Sequence, residues 1–165
     1  MKLLEKVVAR EGKGIHAGES YILWSQLQAR YDTLELAQFH ASLASDEDFK
    51  LLVDRGIDGL IKPQIKKLED TMNRYRIPLP TRPPRDINLP ASAFEAARDE
   101  SMFRIILSGS QTALLVHAKA INACTNDSLR NMFLNFFNDE AHMYDDLVKF
   151  GKIKGWVHMP PRYKH

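Results

Sequence analysis

The sequence predicts an all-α fold, a four-helix bundle in up-down-down-up order whose second and third helices are joined by a long crossover. Three observations predict it. Apolar residues recur at helical spacing in four long stretches. Five of the eight prolines fall within the fourteen residues Ile77 to Pro90, almost at the midpoint. Each proline removes an N–H donor and biases its predecessor toward extended backbone, so no helix continues through that segment. Third, the lengths agree: fourteen extended residues reach ~43 Å, and a 27-residue helix is ~40 Å long. The linker, residues 77–90, can therefore run the length of a bundle, which makes the helices it joins parallel.

The first helix is expected from about Gly18 to Ala44, with Glu19 and Ser20 near its start. Leu23, Leu27, Leu34 and Ala41 form one stripe, with Arg30, Tyr31 and Gln38 interleaved. Leu36, Phe39 and Leu43 fall on nearly the opposite face, so the helix is expected to be covered from both sides, by the N-terminal arm, the linker or a second copy in a homodimer. His40 lies on the flank and reads as a surface or interface residue. The second helix opens at Ser45-Asp46-Glu47-Asp48, which resembles a capping box with Asp in the glutamate position. Its stripe runs from Phe49 through Val53, Ile57, Leu60, Gln64 and Leu68 to Tyr75. Pro63 predicts a kink or break there, and Gly56 and Gly59 suggest a closely approaching backbone. The third helix starts between Ser92 and Asp99 and ends near Cys124; the middle of its inner face is small, at Gly109, Ser110 and Ala113, with His117 just beyond. Thr125 to Ser128 supplies turn residues and a cap for the fourth helix. That helix carries Leu129, Met132, Phe133, Phe136, Glu140, Met143 and Leu147 and frays near Gly151 and Gly155, before the proline-broken tail. Residues 1–17 read as an arm and 18–165 as one bundle domain.

Composition narrows the function classes. Twenty-three basic and 21 acidic residues give a net charge of +2, which offers no electrostatic footprint for nucleic acid. Cys124 is the single cysteine; it allows no intrachain disulfide and no cysteine-based zinc site, and reads as a small core residue. No apolar run approaches the ~20 residues needed to span a bilayer. The N-terminus, interrupted by Glu5, Arg10 and Glu11, lacks a signal peptide's apolar core. The expectation is a cytoplasmic protein without membrane or nucleic-acid partners.

Three polar residues interrupt the core stripes: Gln64, His117 and Glu140. With parallel second and third helices they fall within about a turn and a half of one another near mid-bundle, and Arg30 and Tyr31 reach the same height. An isolated buried carboxylate is too costly, so Glu140 needs a partner, a proton or a metal. Arg30, Tyr31 and His117 are the candidate partners. One reading is a hydrogen-bonded layer that sets helix register. The other is a metal site of His117 and Glu140 joined by Asp139 and His142, whose D-x-x-H spacing projects two ligands from adjacent turns.

The order of motifs resembles a known family, the uncharacterised ferritin-like bundle proteins of endospore-forming bacteria, related to coat-F-type spore coat proteins. The residues that carry it are Leu23-Trp24, the IPLP segment followed by Asp86-Ile87-Asn88-Leu89, Asn126-Asp127-Ser128-Leu129-Arg130, and the ending from Lys154-Gly155-Trp156 to Pro160-Pro161-Arg162-Tyr163. The resemblance implies a ferritin-like bundle with a long crossover, oligomerisation or a spore role, and no established enzymatic activity. Ferritin-like di-iron proteins carry a Glu on two helices and Glu-x-x-His on the other two; this chain has Gln64 and His117 where that pattern needs other ligands. The leading expectation is a non-catalytic bundle acting through protein contacts as a homodimer. The alternative is a metal-binding protein with a degenerate iron or manganese site around His117 and Glu140, whose chemistry would be that of a metal-dependent oxidoreductase. A third class is a small-molecule binder in the gap at Gly109, Ser110 and Ala113.

Overall fold

In a computed structural model, the described residues are 14–83, 97–161 and 163. They form α1 (Ala17–Leu43), α2 (Glu47–Gly56), a π turn (Ile57–Ile61), α3 (Lys62–Arg74), α4 (Asp99–Ala123) and α5 (Asp127–Lys154). α2, the π turn and α3 follow one another without a break and make the second rod of a four-rod bundle. Most of the expected arm, residues 1–13, and residues 84–96 of the connection to α4 lie outside the described residues.

Polar caps at the two ends, one of them buried, show the direction of every rod. At one end the Glu19 carboxylate, on the first turn of α1, accepts from the Thr125 N–H (2.7 Å), the Asn126 N–H (2.8 Å) and the Thr125 hydroxyl (3.1 Å) in the α4–α5 loop. At the other end Asp99, the first residue of α4, accepts from the Ser45 and Asp46 N–H groups at 3.0 and 2.7 Å. Lys154, at the end of α5, reaches Asp46 and Asp48 there at 2.7 and 2.9 Å. The starts of α2 and α4 and the end of α5 therefore share one end, and the rods run up-down-down-up. The described part of the linker leaves from the far end of α3, so its two ends are a bundle length apart.

The caps differ by a residue or two from expectation. α1 is capped by His16, whose Nδ1 accepts from the Glu19 N–H (3.2 Å) while Glu19 accepts from the His16 N–H (3.1 Å), a reciprocal capping box. α2 is capped by Asp46 instead of Ser45. α5 is capped by Asn126. α5 continues unfrayed through Gly151 to a left-handed Gly155 (φ 72°), where the Trp156 N–H returns to the Gly151 carbonyl at 2.8 Å. That paired closure needs the conformation glycine adopts at no steric cost. It also folds Trp156 back onto Phe49, Phe103 and Phe150, with ring centroids 5.7–5.8 Å away. Gly151 lies under this cluster; an added Cβ would fall 2.4 Å from Phe103 Cζ.

The expected kink at Pro63 takes another form. The ladder shifts one register before the proline: the Lys62 N–H bonds the Ile57 carbonyl, five residues back. The π turn absorbs the local widening, and Pro63 then sits in the first turn of α3, where its missing N–H costs little. The two glycines beside it do not mark a backbone contact. A Cβ at Gly59 would meet nothing within 4 Å, and one at Gly56 would meet only the Met143 side chain at 3.7 Å.

Glu19 is a charge buried to 1% exposure that holds the α4–α5 turn. Burial alone raises its pKa, but N–H groups of Asn126, His16 and Thr125 outweigh that and hold it below the usual carboxylate range. Glu19→Ala leaves those donors unpaired, each at about 1–3 kcal/mol. The expected outcome in urea unfolding is a loss of at least ~2 kcal/mol, against under ~0.5 kcal/mol for Glu35→Ala on the exposed face.

Candidate functional site

The bundle's middle is built around one guanidinium. Arg30 comes from α1, Ser110 and His117 from α4, and Glu140 from α5, and all four are buried. Arg30 Nη2 lies 2.6 Å from His117 Nε2 and donates to Glu140 Oε2 at 2.7 Å. The Ser110 hydroxyl donates to the other carboxylate oxygen, Oε1, at 2.8 Å. His117 Nε2 and Glu140 Oε2 are 3.9 Å apart on either side of the guanidinium. Because Arg30 can only donate, His117 must accept at Nε2, which assigns its proton to Nδ1. Burial, and then the neighbouring Arg30 charge, push the His117 imidazole down to about 3. The centre is therefore a neutral imidazole beside a self-compensating Arg–Glu pair. Losing one partner of such a pair costs about 3–5 kcal/mol, because the other charge is left buried and alone.

Other expected members of the layer sit elsewhere. Tyr31 does not reach Glu140. Its hydroxyl donates to Glu69 on α3 at 2.5 Å, and Arg82 of the linker bonds both, 3.0 Å to Glu69 and 3.4 Å to Tyr31, with its guanidinium 5.5 Å from the ring centre. Burial first, and then the Glu69 hydrogen bond, raise the Tyr31 pKa. This cluster ties the described start of the linker to the bundle side. Gln64 is buried, but its amide makes no hydrogen bond among the described residues. Asp139 and His142 are exposed on the outer face of α5, in a shallow groove with Arg55, Met143 and Asp146. One turn of helix cannot turn them inward to join His117 and Glu140. Among the described residues, no three His, Cys, Asp or Glu side chains converge as a metal site. Cys124 is buried, and burial pushes its thiol up to about 11, an inert core residue.

His40 is buried, where the sequence suggested a surface position. It lies about 100° from the centre of the α1 stripe, so its burial depends on which neighbours cover that flank. It lines a cavity of about 150 Å³ that reaches down to Arg30, Ser110 and Glu140. Of the three residues expected on the second face of α1, Leu43 lies inside the monomer core, Phe39 is half-buried, and Leu36 is 46% exposed at the cavity rim.

A family model described as a protein of unknown function, DUF3231, matches residues 7–165. The chain belongs to the DUF3231 family. A crystal structure from Bacillus halodurans, named provisionally as a spore coat protein, superposes with a TM-score of 0.80 at 22% identity, covering 92% of this chain and 97% of that one. A two-domain protein from Anabaena variabilis, containing a DJ-1/ThiJ/PfpI-like and a ferritin-like domain, superposes with a TM-score of 0.68 at 17% identity. That match covers 92% of this chain and 42% of the larger one. No curated protein matches. The fold is therefore a ferritin-like bundle, as the motifs implied. The fold's di-metal ligand set does not fit here: among the described residues Glu140 is the only carboxylate of the central cluster, and the Arg30 cation is already bonded to both would-be ligands.

The buried histidines make stability depend on pH. In the unfolded chain a histidine titrates near 6.5. Burial lowers His40, and burial with Arg30 lowers His117, so the folded state holds fewer protons than the unfolded state below that pH. Their contribution is complete above about pH 6.5 and decays as pH falls below it; for His117 the decay continues toward about 3, by up to ~1.4 kcal/mol per unit. Urea midpoints of wild type should fall between pH 7 and 5, above the carboxylate range. His117→Gln should make that slope shallower, by up to ~1.4 kcal/mol per pH unit. An unchanged slope would mean that His117 is charged in the folded protein.

Proposed function

We propose that this protein is a non-catalytic ferritin-like bundle that acts through protein contacts in a spore-associated setting. One observation carries the reading: the layer where a ferritin-like fold would hold metal is bridged by the Arg30 guanidinium, bonded at once to His117 and Glu140. A fixed cation there opposes a second cation by direct repulsion and takes up the lone pairs that would ligate it. The near full-length match to the Bacillus halodurans protein supports the spore association. No helix among the described residues is long and apolar enough to cross a membrane, which agrees with action through soluble surfaces.

The contact surface we favour is a homodimer through the outer face of α1, where Leu36 remains exposed and Phe39 half-buried. Elemental analysis after anaerobic loading with iron or manganese should find far less than one metal per chain, in wild type and in Glu140→Ala alike. Stoichiometric metal lost in Glu140→Ala would overturn the reading. Light scattering should give twice the chain mass for wild type and the monomer mass for Leu36→Asp/Phe39→Asp; an unchanged dimer would place the interface elsewhere.

A further inference from the structure

The cavity beside the Arg30 centre has the features of a ligand site. Two devices open it. On α4, Gly109 and Ala113 line it with almost no side chain, and a Cβ at Gly109 would meet nothing within 4 Å, so packing does not require glycine there. Across from it, the π turn widens the second rod and brings Leu60 and Ile61 into the wall, with Met143 of α5 beside them. The rim is formed by Leu36 of α1 and Ile105 of α4, 46% and 51% exposed. At about 150 Å³, the space matches an engineered apolar cavity that accepts benzene.

The floor is polar, and part of its hydrogen-bonding capacity is unspent. Arg30 is 4% exposed and lines the cavity, yet the hydrogen bonds it makes among the described residues all use Nη2. Its Nε and Nη1 hydrogens remain available as donors. His40, 3% exposed, also lines the space, and its Nδ1 has no partner. Unpaired donors on a buried guanidinium favour a ligand that carries an acceptor. Charge selects further. Arg30 is compensated by Glu140 at 2.7 Å, and both histidines are held neutral by burial. A carboxylate ligand would set a second anion beside Glu140, and an ammonium a second cation beside Arg30.

We propose that this cavity binds a small neutral molecule with a compact apolar body, about the size of a six-membered ring, and one carbonyl or hydroxyl oxygen that accepts from Arg30. The site adjoins the Arg30–Glu140 centre and needs no metal.

The test uses the full chain with ¹³C-labelled methionine and isoleucine methyls, titrated with cyclohexanone. Saturable shifts are expected at Met143, Ile61 and Ile106. Cyclohexane, which lacks the acceptor, and cyclohexanecarboxylate, which carries the charge, should each bind at least about fivefold more weakly, the scale of one net hydrogen bond. Gly109→Leu should fill the space and abolish the shifts while retaining a cooperative melt, since its Cβ enters open volume. Absence of saturable shifts in wild type would overturn the proposal. So would equal shifts in Gly109→Leu, or tighter binding of the carboxylate. The homodimer proposed above must leave the opening between α1 and α4 free: Ile105 shifts that follow protein concentration, with cyclohexanone excluded from the dimer, would assign the opening to a second copy of the chain and overturn the proposal too.

Discussion

A guanidinium buried at mid-bundle is the constraint from which the rest of the structure follows. Arg30 cannot lose its charge and, in an apolar interior, cannot be left alone. Glu140 on α5 must therefore face it, and His117 on α4 must stay neutral to accept from it. Three rods are brought into register by one side chain. Ser110 completes the carboxylate's second oxygen, which demands a small residue on α4 at that level. The small residues around Ser110 leave the adjoining space open. The same cation that joins the rods also lines the cavity floor.

The ends of the bundle obey a parallel logic with carboxylates. Glu19 and Asp99 each accept from backbone N–H groups of a different rod's cap, and Glu19 accepts from its own helix's cap as well. The buried charge of Glu19 is tolerable there because the orphan N–H groups of helix starts need acceptors in any case. This fixes which rod ends meet, and with them the parallel course of the second and third rods. The proline-rich linker permits that course; the capping carboxylates select it.

Membership of the DUF3231 family and the shared ferritin-like fold set the frame within which the centre is unusual. The fold offers four helices facing a common axis, a geometry that can hold two metal ions when carboxylates converge. Here one carboxylate, one histidine and one arginine converge instead. The π turn beside Pro63 adds volume next to that centre without breaking the second rod, so the bundle carries a lined opening where a closely packed one would have none.

The sequence by itself determined the helical rods, their order, and the identity of Arg30, His117 and Glu140 as interior polar residues, because helical periodicity and the linker's span are local properties of the chain. It could place these residues at one height but not choose among partners. Tyr31 and Arg30 are adjacent in sequence and differ by about 100° around α1; that rotation sends one to Glu69 and the linker and the other to Glu140. Asp139 and Glu140 divide in the same way between the outer face and the core. His40 was read as a flank residue, and the loss of its exposure depends on helices whose contact angle no local pattern encodes. The cap on α1 was missed because histidine is an uncommon N-cap, although Glu19 three residues on was the available signal. The proline-rich linker, finally, established how far the chain can reach, whereas the pairing of Asp99 with Ser45 and Asp46 decided where it arrives, since hydrogen bonds between distant segments exist only once the rods are packed.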